Sequence, residues 1–300
     1  MKTKEDLIKY LDFVSKDLEN WQKNIGPSLI KKIKRLYRFR HKYLLYAFSK
    51  IYPMDFNSKT FFGKRIYYNL PENFMYLFFG LMPHPSEVRL TKFIIKNIQP
   101  NSIFFDIGAN CGFYTLLANF FIKNTGEIHA FEPTPCTFKL LEKTTKNLPR
   151  VFLNNIVLSD TIGNIDFYIR PDSQTMNSLI KPRVGMFKRV SVPSTTIDDY
   201  CRQINKRPDF MKIDVEESEN YVIKGAKDVL NFSDVIVSME VFAEHNDHHL
   251  HAVKMLLDIG YKPYLINSDG DIELISISNA QEINKFIPKD MIFDNLIFKK

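Results

Sequence analysis

From Leu7 onward, apolar residues recur at alternating four- and three-residue steps, at Leu7, Leu11, Val14, Leu18, Trp21 and Ile25. This places them on one stripe of a helix that begins after Thr3 and ends at Gly26-Pro27. About three heptads are short for a self-standing coiled coil, so the stripe is expected to dock on the body of the protein or on a partner helix. A second helix is predicted over 28–50, stopping before Pro53. From Phe56 the texture changes. FFGKRIYY reads as a strand, PENFMYLFFG as an apolar aromatic stretch and Pro83-His84-Pro85 as a break. Glu87 to Asn97 then reads as a helix with Val88, Thr91, Ile94, Ile95 and Ile98 inward. The predicted division is an N-terminal helical extension, 1–55, and a main domain, 56–300.

Beyond Pro100, strand and helix signals alternate at α/β spacing. Ile103–Phe105, Glu127–Phe131, Val151–Val157, Phe210–Ile213 and Val235–Met239 read as strands, and their continuous apolar character implies a parallel sheet covered on both faces. Helices are expected over Phe113–Ile122, Pro135–Asn147, Thr196–Cys201, Tyr221–Leu230 and 246–258, with further strands from Tyr261 to Lys300. Asn164–Ile169 and Lys188–Val192 read as a hairpin-like insert around a polar loop.

Composition narrows the classes. In 300 residues with 45% hydrophobic and 25% charged side chains, 11 Gly and 15 Pro exclude collagenous and low-complexity chains. Cys111, Cys136 and Cys201 are too few for a disulfide framework and suit a reducing interior. With no run of 18 apolar residues and a charged start, MKTKEDLIKYLDF, the expected location is the cytoplasm. The net charge of +7 resides in one run, Lys31 to Lys42 (KKIKRLYRFRHK), which holds seven Lys/Arg and no acid. A basic, aromatic-interleaved helix over 28–50 can lie on the anionic inner face of a membrane, or it can be a solvated helix packed on its own domain. No nucleic-acid module accompanies the run.

The chemistry concentrates where Asp106-Ile-Gly108-Ala-Asn110-Cys-Gly112 follows a buried strand and opens a helix. Gly108 allows a tight turn and close approach to a ligand, and Gly112 allows close helix–strand packing. At the end of the next strand Glu132, in Phe-Glu-Pro, can accept both hydroxyls of a ribose. The pair describes a nucleoside pocket. The dinucleotide pattern G-x-G-x-x-G lacks its second glycine here, which disfavours a nicotinamide oxidoreductase. Cys111 reads as a small buried hydrophobe.

At these residues the sequence resembles the FkbM family of S-adenosylmethionine-dependent methyltransferases. The resemblance rests on FFDIGANCGFYTLLA, HAFEPTPCTFKLLEK, LSDTIGNIDFY, NSL at 177–179, STTIDDY, MKIDVEESENYVIKGA and the closing NLIF. It implies a Rossmann-like class I fold, a mostly parallel seven-stranded sheet with helices on both faces. It also implies that Asp106, Gly108, Asn110 and Gly112 hold the methionine part of the cofactor and Glu132 its ribose. Ser159 and Asp160 would lie near the adenine, and Asp214 would face the sulfonium. Where the family usually has glycine after Lys-Ile-Asp-Val-Glu, this chain has Glu217, so the local turn or the acceptor pocket is expected to differ.

An acceptor hydroxyl is a poor nucleophile at neutral pH and needs a base. Candidates at the ends of the fourth and fifth parallel strands are Asp214, Glu216, Glu240 and His245. The run Glu244-His245-Asn-Asp247-His248-His249-Leu-His251 also has metal-ligand spacing, and Asp214 and Glu216 with one histidine would suit a divalent ion such as magnesium, though no metal site is predicted. The expected activity is O-methylation of a hydroxyl on a glycan or an envelope-related metabolite, with nitrogen as the competing acceptor atom. The alternative from another class is a non-catalytic, membrane-associated module that retained the nucleoside pocket.

Overall fold

A computed structural model describes residues 2–23, 40–123, 125–170, 176–182, 184–242, 247–288 and 291–300, which form two compact units, Met1–Val88 and Arg89–Lys300. In the first, the helix Lys4–Lys23 buries Leu7, Leu11 and Val14, the first three residues of the apolar stripe, while the side chains of Leu18, Trp21 and Ile25 lie outside what is described. Its expected end at Gly26-Pro27, and the basic residues up to Phe39, lie outside the described residues. The helix Arg40–Ile51 follows. Strands β1 (Met54–Lys59) and β2 (Arg65–Leu70) pair antiparallel, with Phe56 opposite Tyr68. This corrects the strand expected at Phe61: Phe61 and Phe62 are buried in the turn before Gly63, whose φ is +87°, and the strand begins at Arg65. The polar sequence of β1, MDFNSK, hid its partner strand. The composition shift near residue 55 thus falls at the start of a hairpin within this unit. A short helix, Phe74–Phe79, ends at Gly80 in the left-handed conformation, as helix C-termini often do.

The second unit begins inside the helix Pro85–Asn97. Its main sheet contains β3 (Ile103–Ile107), β4 (Glu127–Phe131), β5 (Val151–Asn154), β9 (Phe210–Ile213), β10 (Ile236–Phe242), β11 (Lys262–Ile266), β12 (Ile272–Leu274) and β13 (Phe293–Lys299). Among the described residues the order is β12-β11-β13-β10-β9-β3-β4-β5. From β10 to β5 neighbours are parallel, whereas β13 is antiparallel to both β10 and β11. Eight strands replace the expected seven because three-residue β12 turns back along the edge of β11. The chain winds outward from β3 through β4 to β5, then crosses to β9 on the other side of β3. That reversal opens a crevice at the carboxyl ends of the central strands.

Strand alternation supplies both faces. Phe105, Ile107, Phe131, Met211 and Ile213 share one core with the helices Ile197–Ile204, Glu219–Lys224, Lys227–Phe232 and Asp247–Asp258. On the opposite face Phe104 stacks on Phe210 at 5.2 Å, Phe210 meets Phe93 of the helix Pro85–Asn97, and Ala130 packs on Leu141 of the helix Pro135–Thr145.

Two expected elements are divided. The strand over Val151–Val157 stops at Asn154, and Val157-Leu158 forms β6 in a separate sheet, ordered β6-β8-β7 with β7 (Gly163–Ile169) and β8 (Lys188–Thr195). The helix expected over Tyr221–Leu230 breaks at Gly225-Ala226. A Cβ on Gly225 would stand 2.0 Å from the carbonyl oxygen of Ser159, so the break lets main chain pass main chain.

Candidate functional site

Asp106, next to last in β3, is fully buried. Its Oδ2 accepts from the hydroxyl of Thr115, one turn into the helix Phe113–Phe121, while Oδ1 has no hydrogen-bond partner. Burial raises its pKa, against the pull of Lys212. The loop after β3 is tied to the end of β4: the amides of Gly108 and Ala109 both donate to the carbonyl of Phe131, at 3.0 and 2.9 Å. Gly108 has φ +78°, and a Cβ there would lie 1.8 Å from the carbonyl oxygen of Asp214 at the end of β9. No other residue fits that approach. Asn110 takes φ +48°, a conformation asparagine tolerates, and its amide donates to Glu132 Oε2 at 3.0 Å.

Glu132 follows β4 and is 7% exposed. Its Oε1 accepts from the Thr134 amide at 2.8 Å, so the two carboxylate oxygens each carry one backbone hydrogen bond. Burial pushes its pKa up to about 7 despite those amides. An ionised carboxylate offers about four acceptor sites, which leaves capacity for two hydroxyl donors.

Asp214 continues β9 beside β3, its amide donating to the carbonyl of Ile107. Its Oδ2 lies 2.7 Å from Nζ of Lys212, a buried lysine whose ammonium also sits 4.8 Å from the ring centroid of Tyr114. Lys212 and Thr115 escaped the sequence reading. A lysine inside the apolar strand FMKI was the available signal, because a buried ammonium requires a counter-charge.

After Asp214 the backbone takes two consecutive left-handed residues, Glu216 at φ +50° and Glu217 at φ +67°. The second is the position where the family pattern has glycine. Burial, together with Asp214 and Glu219, raises the pKa of Glu216 to about 8. Glu219 is fully buried with neither oxygen at hydrogen-bonding geometry, and burial lifts its pKa to about 7 against the weaker pull of its own amide and that of Val215.

The insert reaches both halves of this arrangement. Asn177 Nδ2 donates to Thr134 Oγ1 at 3.1 Å while its Oδ1 accepts from the Arg170 amide at 2.7 Å. The Ser178 hydroxyl donates to the carbonyl of Glu216 and lies 3.1 Å from Ser218 Oγ. Asn110 and Glu132 are thus joined by a hydrogen bond and Gly108 abuts Asp214, whereas a Cβ on Gly112 would meet Leu141 and Thr144 of the helix Pro135–Thr145, so Gly112 serves close packing. Ser159 Oγ is 2.7 Å from Ser194 Oγ, and Asp160 pairs with Lys224 at 2.6 Å.

His245 lies outside the described residues. In the helix Asp247–Asp258, His249 is fully buried near Phe242, whereas His248 is half-buried and His251 exposed. Among the described residues no three His, Cys, Asp or Glu side chains are placed to hold a metal ion. Cys111 is buried in the turn, as expected of a small hydrophobe.

Residues 106–263 match the family model described as the methyltransferase FkbM domain. The 2-O-methyltransferase NoeI of Sinorhizobium fredii is 23% identical over 189 residues, 57% of this chain and 75% of that one. Among solved structures, the methyltransferase FkbM of Methylobacillus flagellatus KT has a TM-score of 0.42 at 16% identity, covering 67% of this chain. This chain spans only 44% of that protein's length. A SAM-dependent O-methyltransferase of Thermotoga maritima has a TM-score of 0.41 at 12% identity, over 82% of this chain and 77% of that one.

Proposed function

The chain belongs to the FkbM methyltransferase family, and from that premise we propose that it moves a methyl group from S-adenosylmethionine to a hydroxyl oxygen of a glycan or an envelope-related metabolite. The observation that carries the reading is that two buried carboxylates at neighbouring strand ends, Asp106 in β3 and Glu132 after β4, both keep unused acceptor capacity. Asp106 Oδ1 is a buried acceptor without a donor, which suits the α-ammonium of a methionine moiety. Glu132 retains acceptor sites for ribose hydroxyls. The residues present thus fit the donor molecule, which when bound supplies an electrophilic methyl on a sulfonium.

The protein's part is positioning, water exclusion and removal of one proton. Gly108 brings the cofactor turn against the end of β9, where Asp214 and Glu216 stand. Asp214, with Lys212 as its counter-ion, is the base that takes the acceptor's hydroxyl proton as the oxygen gains the methyl. Glu216, whose pKa burial and the neighbouring carboxylates raise, is suited to donating a hydrogen bond to the acceptor. The oxygen as acceptor atom draws support from the similarity to NoeI, a 2-O-methyltransferase.

Calorimetry with S-adenosylmethionine tests the assignment. Glu132→Ala is expected to weaken donor binding, whereas Asp214→Asn leaves binding intact and stops turnover. Unchanged affinity in the first variant would remove the ribose assignment, and full turnover in the second would remove the base. Labelled donor incubated with a fractionated lysate, followed by mass spectrometry of the methylated product, identifies the acceptor.

A further inference from the structure

We propose that the outward face of the helix Arg40–Ile51 seats on an anionic lipid bilayer. The face turned to its own unit mixes polar and apolar groups: Leu45 is half-buried, Ser49 is fully buried, Lys42 Nζ donates to the carbonyl of Leu77 at 2.6 Å, and the Tyr46 ring meets Phe74 at 4.5 Å. The face turned to solvent carries Leu44 at 70% exposure, Phe48 at 50% and Ile51 at 71%, at steps of four and three, with Tyr52 at 60% just beyond the helix. A globular helix ordinarily turns such a stripe inward. Single exposed apolar residues are commonplace, whereas a contiguous stripe marks a contact.

Charge decides what the stripe meets. No Asp or Glu occurs between Glu19 and Asp55, and of the seven Lys/Arg in residues 31–42 five precede this helix, Arg40 opens it and Lys42 is turned inward. The rest of the chain balances, with 34 basic against 34 acidic residues (41 − 7 = 34). A surface offering both negative charge and hydrocarbon satisfies the two features together. A nucleic acid supplies the first without the second, and an ordinary apolar protein interface leaves the basic residues unanswered. Among the described residues no helix is long and apolar enough to cross a membrane, so the contact is interfacial. Each Lys or Arg near an anionic surface strengthens the partition roughly fivefold, and the inserted side chains add to it.

Full-length protein is to be sedimented with phosphatidylcholine vesicles with and without phosphatidylglycerol, at low and high salt. Binding is expected only to the anionic vesicles and should fall with salt. The double variant Leu44→Glu/Phe48→Glu, at two exposed positions, should weaken it at least about tenfold. Equal binding to neutral vesicles, no binding to either kind, or undiminished binding of the double variant would overturn the proposal. So would conversion of a wild-type dimer to a monomer by the double variant with vesicle binding unchanged, which would make the face a protein interface. Circular dichroism of the variant checks that it remains folded, and a second pair, Leu44→Ser/Ile51→Ser, repeats the test with no added charge.

Discussion

Ser178 and Glu216 are joined by a hydrogen bond from the serine hydroxyl to the glutamate's main-chain carbonyl, which fastens the β6-β8-β7 insert to the turn after β9. The turn needs such a clasp. Two non-glycine residues in succession hold left-handed backbone there, a conformation that costs roughly 1–2 kcal/mol each.

Ser178→Ala removes the clasp. A buried hydrogen bond contributes about 1 kcal/mol net, so a drop of that size in urea unfolding is expected. Because the turn carries Glu216 next to Asp214, turnover should fall about tenfold while donor affinity, set across β3 and β4, changes little. Single-turnover kinetics beside calorimetry separate the two. Equal losses in both would mean that the insert shapes the cofactor side instead.

Glu217→Gly should stabilise the protein. The side chain is exposed and φ is +67°, so glycine relieves strain at the loss of few contacts. About 1 kcal/mol, or ~2–4 °C in melting temperature, is expected. An unchanged or lower melting temperature would show that Glu217 makes a compensating interaction.

Donor affinity should depend on pH through Glu132. Its pKa, raised to about 7 by burial, means that the carboxylate gains a proton as pH falls from 8 to 6 and loses acceptor capacity for hydroxyls. The dissociation constant for S-adenosylmethionine should therefore rise over that interval. In Glu132→Gln the profile should be flatter and the affinity lower throughout.

His129 gives a stability signature of the opposite kind to the buried acids. It is buried in β4, with Nδ1 2.8 Å from Tyr200 Oη and Nε2 3.5 Å from Glu127 Oε2. Burial lowers its pKa to about 4, with Glu127 pulling upward. A folded-state value below the unfolded 6.5 means that its contribution is whole above pH 6.5 and is lost as pH falls toward 4. The advantage of wild type over His129→Asn should narrow by about 2 kcal/mol between pH 7 and pH 5. Denaturant melts of both proteins at the two pH values check it. The comparison is needed because Glu132, Glu216 and Glu219, with raised pKa values, make the folded state bind extra protons above pH 4.5 and so push wild type the other way.

Much of the main sheet was legible in the chain because buried parallel strands are continuous apolar runs. Ile103–Phe105, Glu127–Phe131 and Phe210–Ile213 were located to within two residues. Strand β1 was not, since an exposed-edge pattern such as MDFNSK has little apolar signal, and the break at Gly225 was not, since it answers a carbonyl from residue 159. Asp106 and Glu132 stood out by their place at strand ends. Lys212 did not, because its meaning depends on the two carboxylates that face it.

Local order along the chain determined which residues turn and which pair in a central strand, because backbone sterics and hydrophobic periodicity act over a few residues. The folded chain alone decided which carboxylate is left without a donor, which lysine answers Asp214 and how a serine near residue 180 holds a turn near 216. Those relations are distances across the fold, and burial sets their energies, so they exist only once the strands have assembled.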